Sequence, residues 1–380
     1  MINRRNFLAA SGASVFFAGF PVRGYAQPRE VGKIGVILLE GGMDGLAAVP
    51  PLGDPSLKKQ RKGLIASTPI ALNPFFALHP ALAQFARMLA NDEAAIIHAT
   101  SIPYTMRSHF EGQNLMQSGG KEAFASQSGW LGRAMELAGI PGKALALDMP
   151  LIVRGGEDLD NLFPVNLKNV VPPKPDLIAL LEAEYDGDMK AALEKLRLRA
   201  MGDVLAPLRR NPGSLASEAG KEMAKPGGPN VAVVRIPEFD THAHQGTNDG
   251  MLSQRLALID ETFKGFKAGL GSAWRQSIVL TLTEFGRTVK ENGSEGTDHG
   301  YGTAALMAGG LIKRSNVLAD WPGLSDAELF EGRDLMATLD YRAVCAAALE
   351  AAFGLDHDVI AEQVFGDRKL PHVHGLVFGA

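Results

Sequence analysis

The stretch "SIVLTLTEFGRTVKENGSEGTDHGYG", residues 277–302, begins as a run of apolar, serine and threonine residues and then turns abruptly into charge and glycine. A strand with one wet face alternates apolar and polar side chains, whereas a continuous apolar run is covered on both faces, as in a mostly parallel sheet between helix layers. Similar runs recur at 33–39 (KIGVILL), 94–99 (AAIIHA), 144–153 (ALALDMPLIV), 231–236 (VAVVRI) and 303–310 (TAALMAGG). Helix-period segments fall between them at 79–89, 108–117 and 251–270, and YRAVCAAALEAAF (341–353) also looks helical. The alternation predicts an α/β fold, a three-layer sandwich with a mostly parallel central sheet.

One segment stands apart. From Lys174 to about Leu208 the sequence is charged and helical, and "NPGSLASEAGKEMAKPGGPN" after it reads as loop. Residues at about 171–229 are therefore expected to be a helical insertion plus surface connection, a lid or cap on the domain.

In open α/β sheets ligands bind beyond the carboxyl ends of the strands. Four strand ends carry chemistry: Asp44 in "EGGMDGL", Arg107, Ser108 and His109 in "TMRSHFEGQ", Asp240, His242 and His244 in "FDTHAHQG", and Glu284, Arg287, Asp298 and His299 in the opening stretch. The glycine turn around Asp44 lacks the Gly-x-Gly-x-x-Gly spacing of a dinucleotide loop, and a carboxylate at its tip suits a plain turn or a metal ligand. Asp240, His242 and His244 share one side of an extended segment, so carboxylate and imidazole can reach one cation; otherwise they are incidental polarity on a loop. A Glu directly after a buried strand needs a partner, either Arg287 or a metal. Asp298 and His299 read as loop polarity or as late ligands. Ser108 reads as a helix cap, with Glu111 completing a capping box, or as an oxygen nucleophile beside Arg107 and His109. His79, His98, His357, His372 and His374 lack such carboxylate company and are expected to be structural, the last two less firmly.

Composition narrows the function classes. With 46% apolar and 21% charged residues, the 380-residue chain is globular, and a net charge of −4 leaves no basic surplus for neutralising nucleic-acid phosphates. Its single cysteine, Cys345, excludes an internal disulfide. Arg4 and Arg5, an apolar stretch from Phe7 to Phe20, and Gly24 and Ala26 at small-residue cleavage positions resemble a twin-arginine signal peptide over residues 1–26. That stretch is shorter than the roughly 20 residues a spanning helix needs. Removing it leaves 35 basic against 42 acidic residues in an exported chain, periplasmic or extracellular, without a membrane span.

The twin-arginine start, "GGMDGL", "RSHFEGQ", "FDTHAHQG", "TEFGRTVKENGSEGTDHGYG", "ADWPGL" and "GRDLMATLDYRAV" together resemble the bacterial exported family called domain of unknown function 1501. That family is in turn similar to the alkaline phosphatase and sulfatase superfamily. The resemblance implies an alkaline phosphatase-like domain over 27–380, with Asp44 as an early metal ligand and Ser108 as nucleophile. Asp240 with His242 or His244 would be middle ligands and Glu284 and His299 late ones, around a divalent ion that sequence leaves open among zinc, calcium, magnesium and manganese. The superfamily commonly has Asp-His where this chain has Glu284-Phe285, and the usual sulfatase nucleophile sequence is absent. The expected function is an exported metal-dependent hydrolase of phosphate or sulfate esters, small or polymeric, with Arg107 and Arg287 holding the ester oxygens. The twin-arginine translocase would be its partner during export. The alternative is a catalytically degenerate periplasmic binding or scaffold protein on the same fold.

Overall fold

The computed structural model describes residues 31–140, 144–146, 150–155, 175–184, 211–312 and 317–373, with isolated positions between 186 and 193. The twin-arginine segment 1–26 and, within the expected insertion, residues 171–174 and most of 185–210 lie outside the described residues. Eight strands form one sheet: β1 Lys33–Leu39, β2 Ala94–Ser101, β3 Ala144–Ala146, β4 Val231–Ile236, β5 Ser277–Thr283, β6 Thr303–Ala308, β7 Val317–Leu318 and β8 Leu339–Asp340. Their order is β8-β2-β6-β5-β1-β4-β3, with β7 also paired to β2. β1 lies parallel to β4 and β5, with Ile34 opposite Val231 and Ile278. β3 is parallel to β4, and β7 and β8 are parallel to β2. Within this sheet the described strand β6 alone is antiparallel, to both β2 and β5. Two reversals cancel, so β1, β2, β4 and β5 point the same way and their carboxyl ends share one pole.

Helices cover both faces: α1 Ala83–Ala90, α2 His109–Ser118, α3 Trp130–Leu137, α5 Pro212–Ala224, α6 Met251–Leu270 and α7 Tyr341–Phe353, with α4 Pro175–Glu184 a further helix in the expected insertion. The period-2 geometry of β1 splits its side chains between two cores. Ile34, Val36 and Leu38 pack with α2, α3 and α7, while Ile37 and Leu39 pack with α1, α5 and α6. This is the α/β architecture with a mostly parallel central sheet, and continuous apolar strands, charged only near their ends at Lys33 and Arg235, follow from burial on both sides.

Two local readings change. Residues 151–153 form a 3-10 turn rather than continuing strand, because Pro150 brings no N–H for a ladder and the turn closes with Arg154 N–H donating to Leu151 O at 3.0 Å. Residues 212–224, read as loop, form a buried helix. Pro212 occupies its first turn, and the Asn211 side chain accepts from Ser214 N at 3.0 Å. A Cβ at Gly265 or Gly269 of α6 would fall 2.1 Å from the carbonyl oxygen of Gly213 or Ser217, so α5 and α6 touch backbone to backbone. The glycine, alanine and serine that looked like loop composition are the contact surface of a close helix pair.

Candidate metal centre

Glu284, the residue after β5, has no exposed surface. Its Oε1 accepts from Gly41 N at 2.9 Å, from Gln113 Nε2 at 3.2 Å and from His109 Nδ1 at 2.8 Å. The sequence offered Arg287 or a metal as its partner; the structure sets Glu284 behind His109 instead. His109 starts α2 and Gln113 follows one turn later on the same face. Gly41 has φ +116, and a Cβ there would lie 2.4 Å from Asp240 N, so only glycine lets the β1 turn pass between Glu284 and Asp240.

In front of Glu284, ligand atoms of His109, Asp240 and His299 lie within 4.8 Å of one another, and His242 stands beside the latter two. Nε2 of His299 lies 2.9 Å from Nε2 of His109, 3.0 Å from Nε2 of His242 and 3.1 Å from Asp240 Oδ1. Asp240 Oδ1 is 3.0 Å from His242 Nε2, and its Oδ2 is 3.4 Å from His109 Nε2. The far nitrogens all meet pure acceptors: Nδ1 of His109 meets Glu284, Nδ1 of His242 meets Asp298 Oδ1 at 3.1 Å, and Nδ1 of His299 meets the Arg107 carbonyl at 2.9 Å. Each Nδ1 therefore carries the proton, and in the neutral ring each Nε2 presents a lone pair. In the neutral rings three lone pairs then face an anionic carboxylate whose Oδ1 also accepts from Arg287, an arrangement that a bound cation would stabilise further. Imidazoles whose second N–H is held by a carboxylate or carbonyl are the usual form of metal-ligating histidine.

The titration behaviour follows this layout. The hydrogen bond to Glu284 raises the pKa of His109, whereas burial lowers that of His299. Burial opposes charge on Glu284, yet hydrogen bonds from His109, Gly41 and Gln113 hold its pKa below the usual carboxylate value. Partial burial likewise opposes charge on Asp240, but Arg287 outweighs it and keeps the carboxylate ionised.

The remaining sequence candidates lie around this centre. Asp44 does not face it through any described contact: its Oδ2 accepts from Arg61 at 2.5 Å and from Gln245 at 2.7 Å, and Oδ1 caps Ala47 N at 3.2 Å. Arg287 is buried and donates to Asp240 Oδ1 at 2.6 Å, to Gly41 O at 3.3 Å and to Thr297. The Arg107 guanidinium binds Asp334 and Glu331, and its backbone, at φ +61, turns the carbonyl to His299. Both guanidiniums expected to hold a substrate are thus engaged by the protein. Ser108 stands at the N-cap position of α2 without a side-chain cap; Glu111 accepts from Tyr104 Oη at 2.6 Å, so the capping box does not form. Asp298 orients His242, and His244 is exposed beside Glu295 at 3.3 Å.

Sequence reasoning missed Gln113, legible as the i+4 partner of His109, and Gln245 and Arg61, which hold Asp44. It also denied His357 and His372 a carboxylate, whereas both meet Glu350.

Fold and site together define an α/β protein with a histidine-rich polar centre at the carboxyl pole of its sheet. The chain belongs to the family DUF1501, described as protein of unknown function, whose profile matches residues 43–364. No curated protein matches it. Among solved structures it is similar to Ps i-CgsB in complex with k-i-k-neocarrahexaose, with TM-score 0.41, 10% identity, and coverage of 89% of this chain and 77% of that one. It is also similar to the C-terminal periplasmic domain of EcEptC from Escherichia coli in complex with Zn, with TM-score 0.34, 10% identity, and coverage of 74% and 73%. For the integral membrane protein lipooligosaccharide phosphoethanolamine transferase A from Neisseria meningitidis the values are 0.34, 13%, 81% and 55%.

Proposed function

We propose that the protein is an exported, metal-dependent hydrolase of phosphate or sulfate esters, in which His109, His242, His299 and Asp240 hold one divalent ion. The observation that carries this reading is the convergence of three Nε2 lone pairs on one carboxylate, with His299 Nε2 2.9 and 3.0 Å from its neighbours. Three nitrogens and one oxygen suit zinc or a similar transition ion better than calcium or magnesium, which take oxygen ligands. Such an ion, when bound, polarises an ester oxygen and acidifies a water or hydroxyl beside it.

The chain's own residues prepare the site. Glu284, Asp298 and the Arg107 carbonyl fix the tautomers of the three histidines, and Arg287 keeps Asp240 ionised. Ser108 lies between His109 and Arg107 in the chain and is our candidate nucleophile. The ester class rests on the motif resemblance to the alkaline phosphatase and sulfatase superfamily, and export rests on Arg4 and Arg5. Among the described residues no helix is long and apolar enough to cross a membrane.

The test is metal analysis of the purified protein followed by assays on aryl phosphates and aryl sulfates, with chelator and with divalent ions restored. We expect about one ion at this centre, lost in His299→Ala, and turnover abolished in Ser108→Ala with metal retained. A protein that takes up no divalent ion here and turns over neither ester class refutes the proposal.

One observation favours the second reading, a binding protein on the same scaffold: Arg107 and Arg287 are held by the protein's own carboxylates, Asp334 and Glu331 for the one and Asp240 for the other. Under that reading the centre binds metal, no ester is hydrolysed, and Ser108→Ala is silent in every assay.

A further inference from the structure

A second cluster lies where α7 meets the carboxyl-terminal segment, outside the centre above. Glu350 sits in the last turn of α7, where its carbonyl is capped by Gly354 N at 3.0 Å. His357 opens the next short helical turn, which Asp356 caps by accepting from Asp358 N at 2.9 Å and Val359 N at 3.3 Å. His372 comes from the tail beyond Leu370, itself buried in the core formed with α7.

The two oxygens of Glu350 take one histidine each: Oε1 lies 2.8 Å from His357 Nδ1 and Oε2 lies 2.9 Å from His372 Nε2. The two rings stand 4.5 Å apart, and one ligand atom from each of the three residues lies within 4.8 Å of the others. His357 Nε2 meets the Leu370 carbonyl at 3.1 Å, an acceptor that holds the proton on Nε2. Nδ1 faces Glu350 across a hydrogen bond, so an ion bound here would take the place of the proton between them. A carbonyl behind one nitrogen and a carboxylate before the other is the orientation of a metal-ligating histidine. Zinc bonds of about 2.0–2.1 Å separate tetrahedral ligand atoms by about 3.4 Å, between the 2.8 Å of the Glu350–His357 contact and the 4.8 Å within which all three ligand atoms lie.

We propose that Glu350, His357 and His372 form a second divalent-metal site, of the zinc class, that clips the carboxyl-terminal segment onto α7. Two histidines and one carboxylate leave a fourth position, which the half-exposed side of His372 opens to solvent. The ion closes the chain between positions 350 and 372 and so holds Leu370 and Val373 against the core. Its role is structural, since these residues have no described contact with the centre of the proposed function, and it stands or falls independently of that function.

The experiment uses the full-length protein, freed of metal and titrated with zinc. Stoichiometry and melting temperature are compared among wild type, Glu350→Gln and His372→Gln. We expect both variants to bind one zinc fewer than wild type, two falling to one, or one falling to none if the other centre takes no ion. We also expect wild type to gain roughly 3 °C or more than the variants at zinc about a hundredfold above its dissociation constant. Equal stoichiometry and equal zinc-induced shifts in all three proteins overturn the proposal and leave an ordinary carboxylate–histidine pairing. If Glu350→Gln does not fold, His372→Gln, which changes a half-exposed tail residue, decides by the same two readings.

Discussion

His98 and His299 both sit among the polar groups of this sheet, and the partners of their ring nitrogens set them apart. His98 Nε2 faces the Val49 carbonyl at 2.9 Å, Nδ1 accepts from Ala99 N at 2.8 Å, and the ring stacks on Phe76 at 5.4 Å. Asp44 is equally complete, with Arg61, Gln245 and Ala47 filling its oxygens. Around His299 the Nδ1 side is just as complete, but the Nε2 side faces two more Nε2 atoms and a carboxylate. The difference lies in whether partners complement or repeat one another. Complementary partners finish a structure, whereas imidazole lone pairs set against one another leave a place that a cation fills.

The largest expected effect breaks the completed side. Asp44→Asn keeps the shape but leaves Arg61, whose side chain is 0% exposed, opposite a neutral amide. Removing one member of a buried ion pair costs about 3–5 kcal/mol, so the chemical-denaturation midpoint should fall sharply while metal affinity of the folded protein is unchanged. The opposite result, a stable variant that no longer binds metal, would restore Asp44 to the ligand role its position in "GGMDG" suggested.

Acid probes the same side next. Burial lowers the pKa of His98 from 6.5 to about 4. Between those values the unfolded chain holds a proton on this ring that the folded one refuses, so stability falls as pH drops from about 6.5 towards 4. The shift corresponds to about 3 kcal/mol. Denaturation of metal-free protein should show that slope, and His98→Gln should flatten it whatever its effect at pH 7.

The sequence was most readable where burial leaves no choice. β1, β4, β5 and α6 begin and end where the apolar runs and helical period place them, because strands covered on both faces stay apolar along most of their length and a long helix must keep its stripe. It misled where packing demands small residues, as in α5, whose glycine and serine are contact surface. At the site, Asp240, His242, His299 and His109 were legible as polar groups at the ends of like-directed strands. The fate of Asp44 was not, because nothing in the loop around Arg61 marks that guanidinium as its partner. Glu350 was invisible for a similar reason: it closes an alanine-rich helix, and the histidines that meet it follow the helix end.

A smaller effect sharpens the unfinished side. Glu284→Gln keeps an oxygen for the Gly41 and His109 N–H groups but removes the charge that orients and enriches His109. Loss of such a partner typically costs 10–100-fold in metal affinity, measurable by competition with a chelator, with Tm of the metal-free protein shifted far less than in Asp44→Asn. An unchanged affinity would mean that His109 is not a ligand.

The smallest effect concerns Arg107, which joins both sides. Its guanidinium completes Asp334, at 2.7 and 2.9 Å, and its carbonyl orients His299. At φ +61 an L side chain costs about 1–2 kcal/mol relative to glycine. Arg107→Ala loses the ion pair and keeps the strain, whereas Arg107→Gly loses the ion pair and relieves the strain, so Gly should be the more stable variant by about 1 kcal/mol. Asp334 retains Arg333 at 2.9 Å in both, and both keep the carbonyl, so metal affinity should stay within about twofold of wild type, well below the cost of a lost orienting partner. Ester turnover lost equally in the two variants, with metal still bound, would show that the guanidinium leaves Asp334 to meet a substrate. Turnover retained in both would confine this residue's contribution to its backbone.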